Sequence, residues 1–282
     1  MDINAKTNII CLIGNPIEHS LSPNIHNYLL NKHSINAKYV CFDVEKNNIN
    51  RAIQGIKALG IKGANITIPH KVEVMKFLDE VDKNAELIGA VNTIKNKDGK
   101  LIGYNTDGIG FVKSILDKGH ELKDKKVLII GAGGACRSIA IELADNGVSS
   151  IDIRNRSIQN ASIIVETINN NFKTKASCSI KKIEKDDLKN VDIIINTTPI
   201  GMDKDKASCP IDEKIQIDKA ILVCDIVYNP HETKFISWAK NNNLNVVYGI
   251  DMLINQAIHG FYIWTGINVS EKGDIEKILK GI

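Results

Sequence analysis

The run Val127-Leu-Ile-Ile130, followed directly by Gly131-Ala-Gly-Gly-Ala-Cys136, admits few folds. Four consecutive apolar residues read as a strand buried on both faces, and the glycines as a tight turn into a helix. Gly131 permits that turn, and Gly133 lets backbone approach a pyrophosphate held at the helix N-terminus. Gly134 and Ala135 open the helix, and Cys136 stands where a third glycine is usual, still small enough for close strand–helix packing. A strand, glycine turn and helix in this order predict a parallel sheet that binds a dinucleotide.

The rest of the 282 residues alternates in the same way. Strands are predicted at 8–14, 38–44, 63–68, 90–96 and 101–105, and helices at 22–32, 48–59, 71–81 and 108–118. This first block predicts a mostly parallel sheet with helices on both faces. The polar stretch Lys118-Gly-His-Glu-Leu-Lys-Asp-Lys-Lys126 separates it from the block that opens at Val127. Further strands are expected near 149–153, 191–196, 221–225 and 244–248, and a helix apolar on most faces from Met252 to Gly266. The expected fold is α/β in two lobes. A substrate-binding catalytic lobe takes 1–107 and 252–282, and a Rossmann-type lobe takes 108–251, with the C-terminal helices returning to the first.

A formal charge of +3 without any basic block gives no electrostatic footing for nucleic acid. No run approaches the ~18 apolar residues of a membrane span, and the polar N-terminus is not a signal peptide. Cys11, Cys41, Cys136, Cys178, Cys209 and Cys224 are dispersed without a CxxC pair, so neither disulfides nor structural zinc is expected. A metal site would need clustered His or carboxylates, and none is evident. These features fit a cytoplasmic protein.

The second strand of the dinucleotide lobe ends Ile151-Asp-Ile-Arg-Asn-Arg-Ser157. An NAD site normally has an acid at that tip for the ribose hydroxyls; Arg154, Asn155 and Arg156 suit a 2′-phosphate instead. The expected cofactor is NADP(H).

Gly63-Ala-Asn-Ile-Thr-Ile-Pro-His-Lys71 has an alternating strand pattern ending in a proline that suits a helix start. Lys71 would then lie in a first helical turn, where the macrodipole disfavours a cation and lowers its pKa. A proton-exchanging lysine and a solvated surface lysine both fit these residues. Other predicted strand ends carry polar groups: Ser20 and Ser22 after the first, Asn65 and Thr67, Asn92, and Asp107 in Gly103-Tyr-Asn-Thr-Asp-Gly108. Ser22 before Pro23, and Asp107 before Gly108, also read as N-caps. Hydroxyls, amides, one cation and one acid at the carboxyl edge of a sheet suit a small polyhydroxylated substrate.

These segments resemble the shikimate dehydrogenase family over essentially the whole chain. The resemblance runs through Gly14-x-Pro-Ile-x-His-Ser-x-Ser-Pro23, Asn65-Ile-Thr-Ile-Pro-His-Lys71, Gly89-Ala-Val-Asn-Thr93, Gly103-Tyr-Asn-Thr-Asp-Gly108 and Gly131-Ala-Gly-Gly-Ala135. It continues in Asn155-Arg-Ser157, Asn196-Thr-Thr-Pro-Ile-Gly-Met202, Asp225-Ile-Val-Tyr-Asn-Pro230, Gly249-Ile-Asp-Met-Leu253 and Gln256. It implies reversible, NADPH-dependent reduction of 3-dehydroshikimate to shikimate on the route to chorismate and the aromatic amino acids. By that resemblance Lys71 and Asp107 are the catalytic pair. Ser20, Ser22 and Tyr228 would meet the substrate carboxylate, and Thr67, Asn92 and Gln256 the ring hydroxyls. Gly131, Gly133, Gly134 and Ala135 would line the pyrophosphate, with Asn155 and Arg156 at the 2′-phosphate. Thr197 and Met202 would lie beside the cofactor, and Gly249 and Met252 would border the nicotinamide. The implied partners are this substrate and cofactor, on a monomer or homodimer. A quinate/shikimate dehydrogenase using NAD, a methylenetetrahydrofolate dehydrogenase and a non-catalytic NADPH-binding regulator stand as alternatives.

Overall fold

The computed structural model describes residues 3–202 and 205–280. The chain divides into two compact units, Met1–Thr106 with Ile254–Ile282, and Asp107–Leu253.

In the first unit β1 (Asn8–Gly14), α1 (Ser22–Lys32), β2 (Ala37–Asp43), α2 (Ile49–Ala58) and β3 (Gly63–Ile66) follow one another. Then come a 3-10 helix (Glu73–Phe77), β4 (Glu80–Val81), α3 (Lys83–Ile88), β5 (Thr93–Lys97) and β6 (Lys100–Tyr104). The sheet order is β2-β1-β3-β5-β6-β4. The strands β1, β2 and β3 are parallel, but β5 runs antiparallel to both β3 and β6. The sheet of this block is thus mostly parallel, as expected, with one reversal, at β5. Its cause is local: Asp98 and Gly99 have φ of 53° and 88°, and a two-residue turn with both φ positive joins antiparallel strands. Ile49, Ile53 and Ile56, spaced on one face of α2, pack with Ile13, Ile66, Val74 and Ile94 as the core of this unit.

The helix expected over 71–81 is absent. Residues 71 and 72 form a turn, the 3-10 helix takes Glu73–Phe77, and β4 pairs with β6. Val72 is exposed whereas Val74 is fully buried, and Met75, Phe77, Leu78 and Val81 pack against the core beside it. The 3-10 helix stops at Leu78, whose extended backbone leads into β4. Lys71 thus precedes a five-residue 3-10 helix, and the macrodipole argument for it falls away.

The second unit begins with α4 (Asp107–Leu116), β7 (Lys126–Ile130), α5 (Gly134–Asp145), β8 (Ser150–Arg154), α6 (Ile158–Asn171) and β9 (Lys175–Ser179). It continues through α7 (Lys185–Leu188), β10 (Ile193–Asn196), β11 (Leu222–Asp225), α8 (Lys234–Asn241) and β12 (Asn245–Val247). The chain ends in α9 (Gly249–Thr265) and α10 (Lys272–Lys280). Here every strand pair is parallel, in the order β12-β11-β10-β7-β8-β9. The chain winds outward from β7 to β9, then restarts on the other side of β7 at β10. Ligands bind in such sheets at the carboxyl ends flanking that switch point. Leu128, Ile130, Ile194, Val223, Phe235 and Trp238 fill the core of this unit.

Candidate active site

The mixed sheet of the first unit gathers the polar strand ends. Ile13 pairs with Ile66, Asn65 with Thr93, and Thr93 with Tyr104. The exits of β1, β3 and β6 and the entry of antiparallel β5 therefore share one edge, so Asn92 enters a strand rather than ending one. Its Oδ1 accepts from the Thr106 amide (2.8 Å), the Thr106 hydroxyl (3.2 Å) and the Thr93 hydroxyl (3.0 Å). Its Nδ2 lies 3.0 Å from Thr106 Oγ1. The Thr106 hydroxyl also lies 3.4 Å from Gln256 Oε1. Behind this knot Asn65 donates to the Asn92 carbonyl (3.2 Å) and to Thr93 Oγ1 (3.1 Å), and accepts from the Tyr39 hydroxyl (2.7 Å). The His26 ring stacks on Tyr39 at 4.5 Å, and neither of its buried nitrogens has a hydrogen-bond partner. Burial pulls the His26 pKa down to about 3.

Ser22 is buried and opens α1, with Leu21 at the cap position and no side-chain cap bond. The N-cap reading of Ser22 is thereby overturned, and its hydroxyl is not spent on the helix end. Ser20 lies beside it, 3.3 Å from the Ser22 amide. The Thr67 amide donates to the Ile13 carbonyl (2.9 Å) and its carbonyl accepts from the His70 amide (2.9 Å), which folds the turn leading to Lys71. His70 is buried, and its Nε2 donates to the Val44 carbonyl at 2.7 Å. Lys71 is half-buried, its carbonyl accepting from the Val91 amide at 2.8 Å. Asp107, one peptide bond after Thr106, is buried as the first residue of α4, where the helix field favours a carboxylate.

In the second unit Gly131 has φ of +104°, and a side chain there would meet Thr197 and Thr198. Thr197 lines the switch point, its hydroxyl donating to the Ile130 carbonyl at 2.8 Å. A Cβ on Gly133 or Gly134 would meet nothing within 4 Å. The N-terminus of α5 is thus an open backbone cradle, a fit for a pyrophosphate. Cys136 is buried beneath it, and burial pushes its thiol up to about 12.

At the tip of β8 the expected pair of arginines is reduced to one. Arg154 Nε holds Asp152 Oδ2 at 2.7 Å and its Nη2 holds Asp187 Oδ1 at 2.9 Å. Both acids flank it because Asp152 lies two residues back on the same face of β8 and Asp187 lies in α7. Asn155 donates to the Ser157 carbonyl at 2.7 Å. Arg156 is exposed and makes no hydrogen bond or ion pair among the described residues. Beyond β10 and β11, Met202 is exposed, Tyr228 and Met252 are half-buried, and Gly249 is buried. Among the buried polar groups to which the sequence reading gave no role are Thr106 and the trio Asn196, Asp225 and Thr233. Asp225 ends a buried strand, which is the sequence signal that could have raised it. Among the described residues no cluster of His, Cys, Asp or Glu could hold a metal ion, and no helix is long and apolar enough to cross a membrane.

Three family models match in chain order. The shikimate dehydrogenase substrate binding domain matches 12–94, shikimate / quinate 5-dehydrogenase 112–226, and the shikimate 5′-dehydrogenase C-terminal domain 249–279. The shikimate dehydrogenase (NADP(+)) of Methanocaldococcus jannaschii is 47% identical over 283 residues, covering 99% of this chain and 100% of its own. That of Caldanaerobacter subterraneus subsp. tengcongensis is 45% identical over 267 residues, covering 94% of each. The crystal structure of shikimate 5-dehydrogenase from Listeria monocytogenes with shikimate and NAD superposes with a TM-score of 0.91 at 33% identity, covering 99% of this chain and 98% of its own. Matched from β1 to α10, on both units and at this identity, the chain belongs to the shikimate dehydrogenase family.

Proposed function

We propose that the chain interconverts 3-dehydroshikimate and shikimate with NADP(H), on the route to chorismate and the aromatic amino acids. The observation that carries this is the convergence, at one edge of the first sheet, of the Thr67–Lys71 turn, the Asn92–Thr106 knot and, one peptide bond further, Asp107. Residues 1–107 and 252–282 are the substrate lobe and 108–251 the NADP lobe, in a cytoplasmic monomer or homodimer that needs neither nucleic acid nor membrane.

Gly131, Gly133, Gly134 and Ala135 would hold the pyrophosphate, Asn155 and Arg156 the 2′-phosphate, and Thr197, Met202, Gly249 and Met252 the remainder. Bound there, NADPH supplies a hydride to the ketone carbon. Lys71 gives its proton to the C3 oxygen as that oxygen gains charge, and solvent reprotonates the amine. Asp107 orients the hydroxyl and the lysine. Ser20, Ser22 and Tyr228 hold the ring carboxylate, while Thr67, Asn92 and Gln256 fix the hydroxyls. Hydrogen bonds to Thr93 and Thr106 hold the Asn92 side chain in one orientation.

Steady-state oxidation of shikimate and of quinate, each with NADP⁺ and NAD⁺, tests this. Shikimate with NADP⁺ should give the highest kcat/KM. Preference for quinate with NAD⁺ would select the broader dehydrogenase instead, and absence of any turnover would select a binding protein.

A further inference from the structure

Three segments of the second unit, two of them carrying or adjoining residues assigned to the site, meet on one buried carboxylate with no place in the chemistry above. Asp225, at the end of β11, is 2% exposed. Its Oδ1 accepts from Asn196 Nδ2 (3.0 Å) and the Val227 amide (3.0 Å), and its Oδ2 accepts from the Thr233 hydroxyl (2.6 Å). All three partners are donors, and a carboxylate accepts from all of them without presenting a donor of its own.

Each partner holds a different segment. Asn196 Oδ1 accepts from the Thr198 amide (3.1 Å) and hydroxyl (2.6 Å), and its Nδ2 also donates to the Ile200 carbonyl (3.2 Å). This fixes the Thr197–Met202 loop. Thr233 caps α8 through the Ile236 amide (3.2 Å), and its side chain lies 3.2 Å from where Gly201 would carry a Cβ. Val227 precedes Tyr228, and the Ile226–Val227 backbone is packed so closely on Gly249 that a side chain there would collide with the Ile226 carbonyl.

We propose that Asp225 is a positioning residue for the nicotinamide end of the cofactor site, setting the Thr197–Met202 loop, Tyr228 and Gly249 in mutual register. The inference rests on the dehydrogenase function proposed above. Loss of the carboxylate leaves the Gly131–Ala135 cradle and Arg156 in place, so the adenosine end keeps its site while the nicotinamide end loses order.

Calorimetric titration of D225A, D225N and T233V with NADPH and with adenosine 2′,5′-bisphosphate tests this. In D225A, NADPH should bind at least tenfold more weakly and kcat should fall at least tenfold, while adenosine 2′,5′-bisphosphate binds within twofold of wild type. D225N keeps an acceptor for two of the three donors and should fall between D225A and wild type. Unchanged NADPH binding in D225A and D225N overturns the proposal, as does equal loss of both ligands in D225N. If D225A does not fold, D225N and T233V decide by the same criteria. A wild-type chain that binds neither ligand removes the dehydrogenase function itself, and this inference with it.

Discussion

The two units present chemistry in opposite ways. In the first, side chains do the work. Asn65, Asn92, Thr93 and Thr106 hydrogen-bond to one another at a sheet edge, and an antiparallel strand is needed to bring them together. In the second, backbone does it: an open glycine turn at the head of α5, with Thr197, Asn196 and Asp225 as struts beneath the loops. Under the proposed function, the difference follows from the ligands. A phosphate is satisfied by any well-aimed row of N–H groups, whereas discriminating among ring hydroxyls requires particular side chains fixed in register.

The sharpest way to break this division is at Lys71. Lys71→Met should lower turnover by roughly 10²–10⁴, the range of general acid–base help, with NADPH affinity near wild type by calorimetric titration. Wild-type turnover in this variant would refute the assignment. Asp107→Asn should lose turnover likewise, whereas a residue that merely caps α4 would lose only ~0.5–2 kcal/mol of stability.

The buried titratable groups separate the units next. His26, a base whose pKa drops to about 3 on folding, contributes stability that is complete above its unfolded value near 6.5 and lost as pH falls. Asp225, an acid raised to about 6 by burial, has the opposite sign. It favours the folded state fully below about 3.9, and that contribution is lost as pH rises through about 6. Each pH unit inside these windows is worth at most about 1.4 kcal/mol. Denaturant unfolding at pH 7 and pH 4.5 should therefore show His26→Leu losing less stability on acidification than wild type. Equal losses would remove His26 as the acid-sensitive group.

The smallest effect belongs to Arg156. Arg156→Gln should cut the preference for NADPH over NADH roughly tenfold to hundredfold, the worth of one charge-assisted contact of ~1.5–3 kcal/mol. An unchanged ratio would move the 2′-phosphate elsewhere.

What could be read in advance follows the same division. The turn at Gly131 and the strands β7, β10 and β11 were legible because strands buried on both faces are continuous apolar runs. Strand β1 and helix α1 were found at their observed bounds, 8–14 and 22–32. Strand β9, Lys-Ala-Ser-Cys-Ser, was not, because a half-exposed edge strand has no apolar pattern. Helix α6 was missed although Ala161, Ile164 and Ile168 mark its buried face. The turn at Asp98-Gly99 names a hairpin locally, but its effect, reversing β5 so that Asn92 joins Thr106, exists only in the assembled sheet. The proposed site residues rest on motif resemblance. Their bonding was not readable, and Arg154 shows why: a guanidinium at a strand tip looks the same in sequence whether it faces a ligand or two acids.

That triad has a consequence for how cofactor choice could drift. With Asp152 and Asp187 clasping Arg154, the chain keeps a second cation in reserve beside the one that faces solvent. A change that neutralises Asp187 would release charge at the tip of β8 without adding any. Selectivity could thus be strengthened by loss of a surface acid in α7, far along the sequence from any cofactor motif, and weakened again by its return.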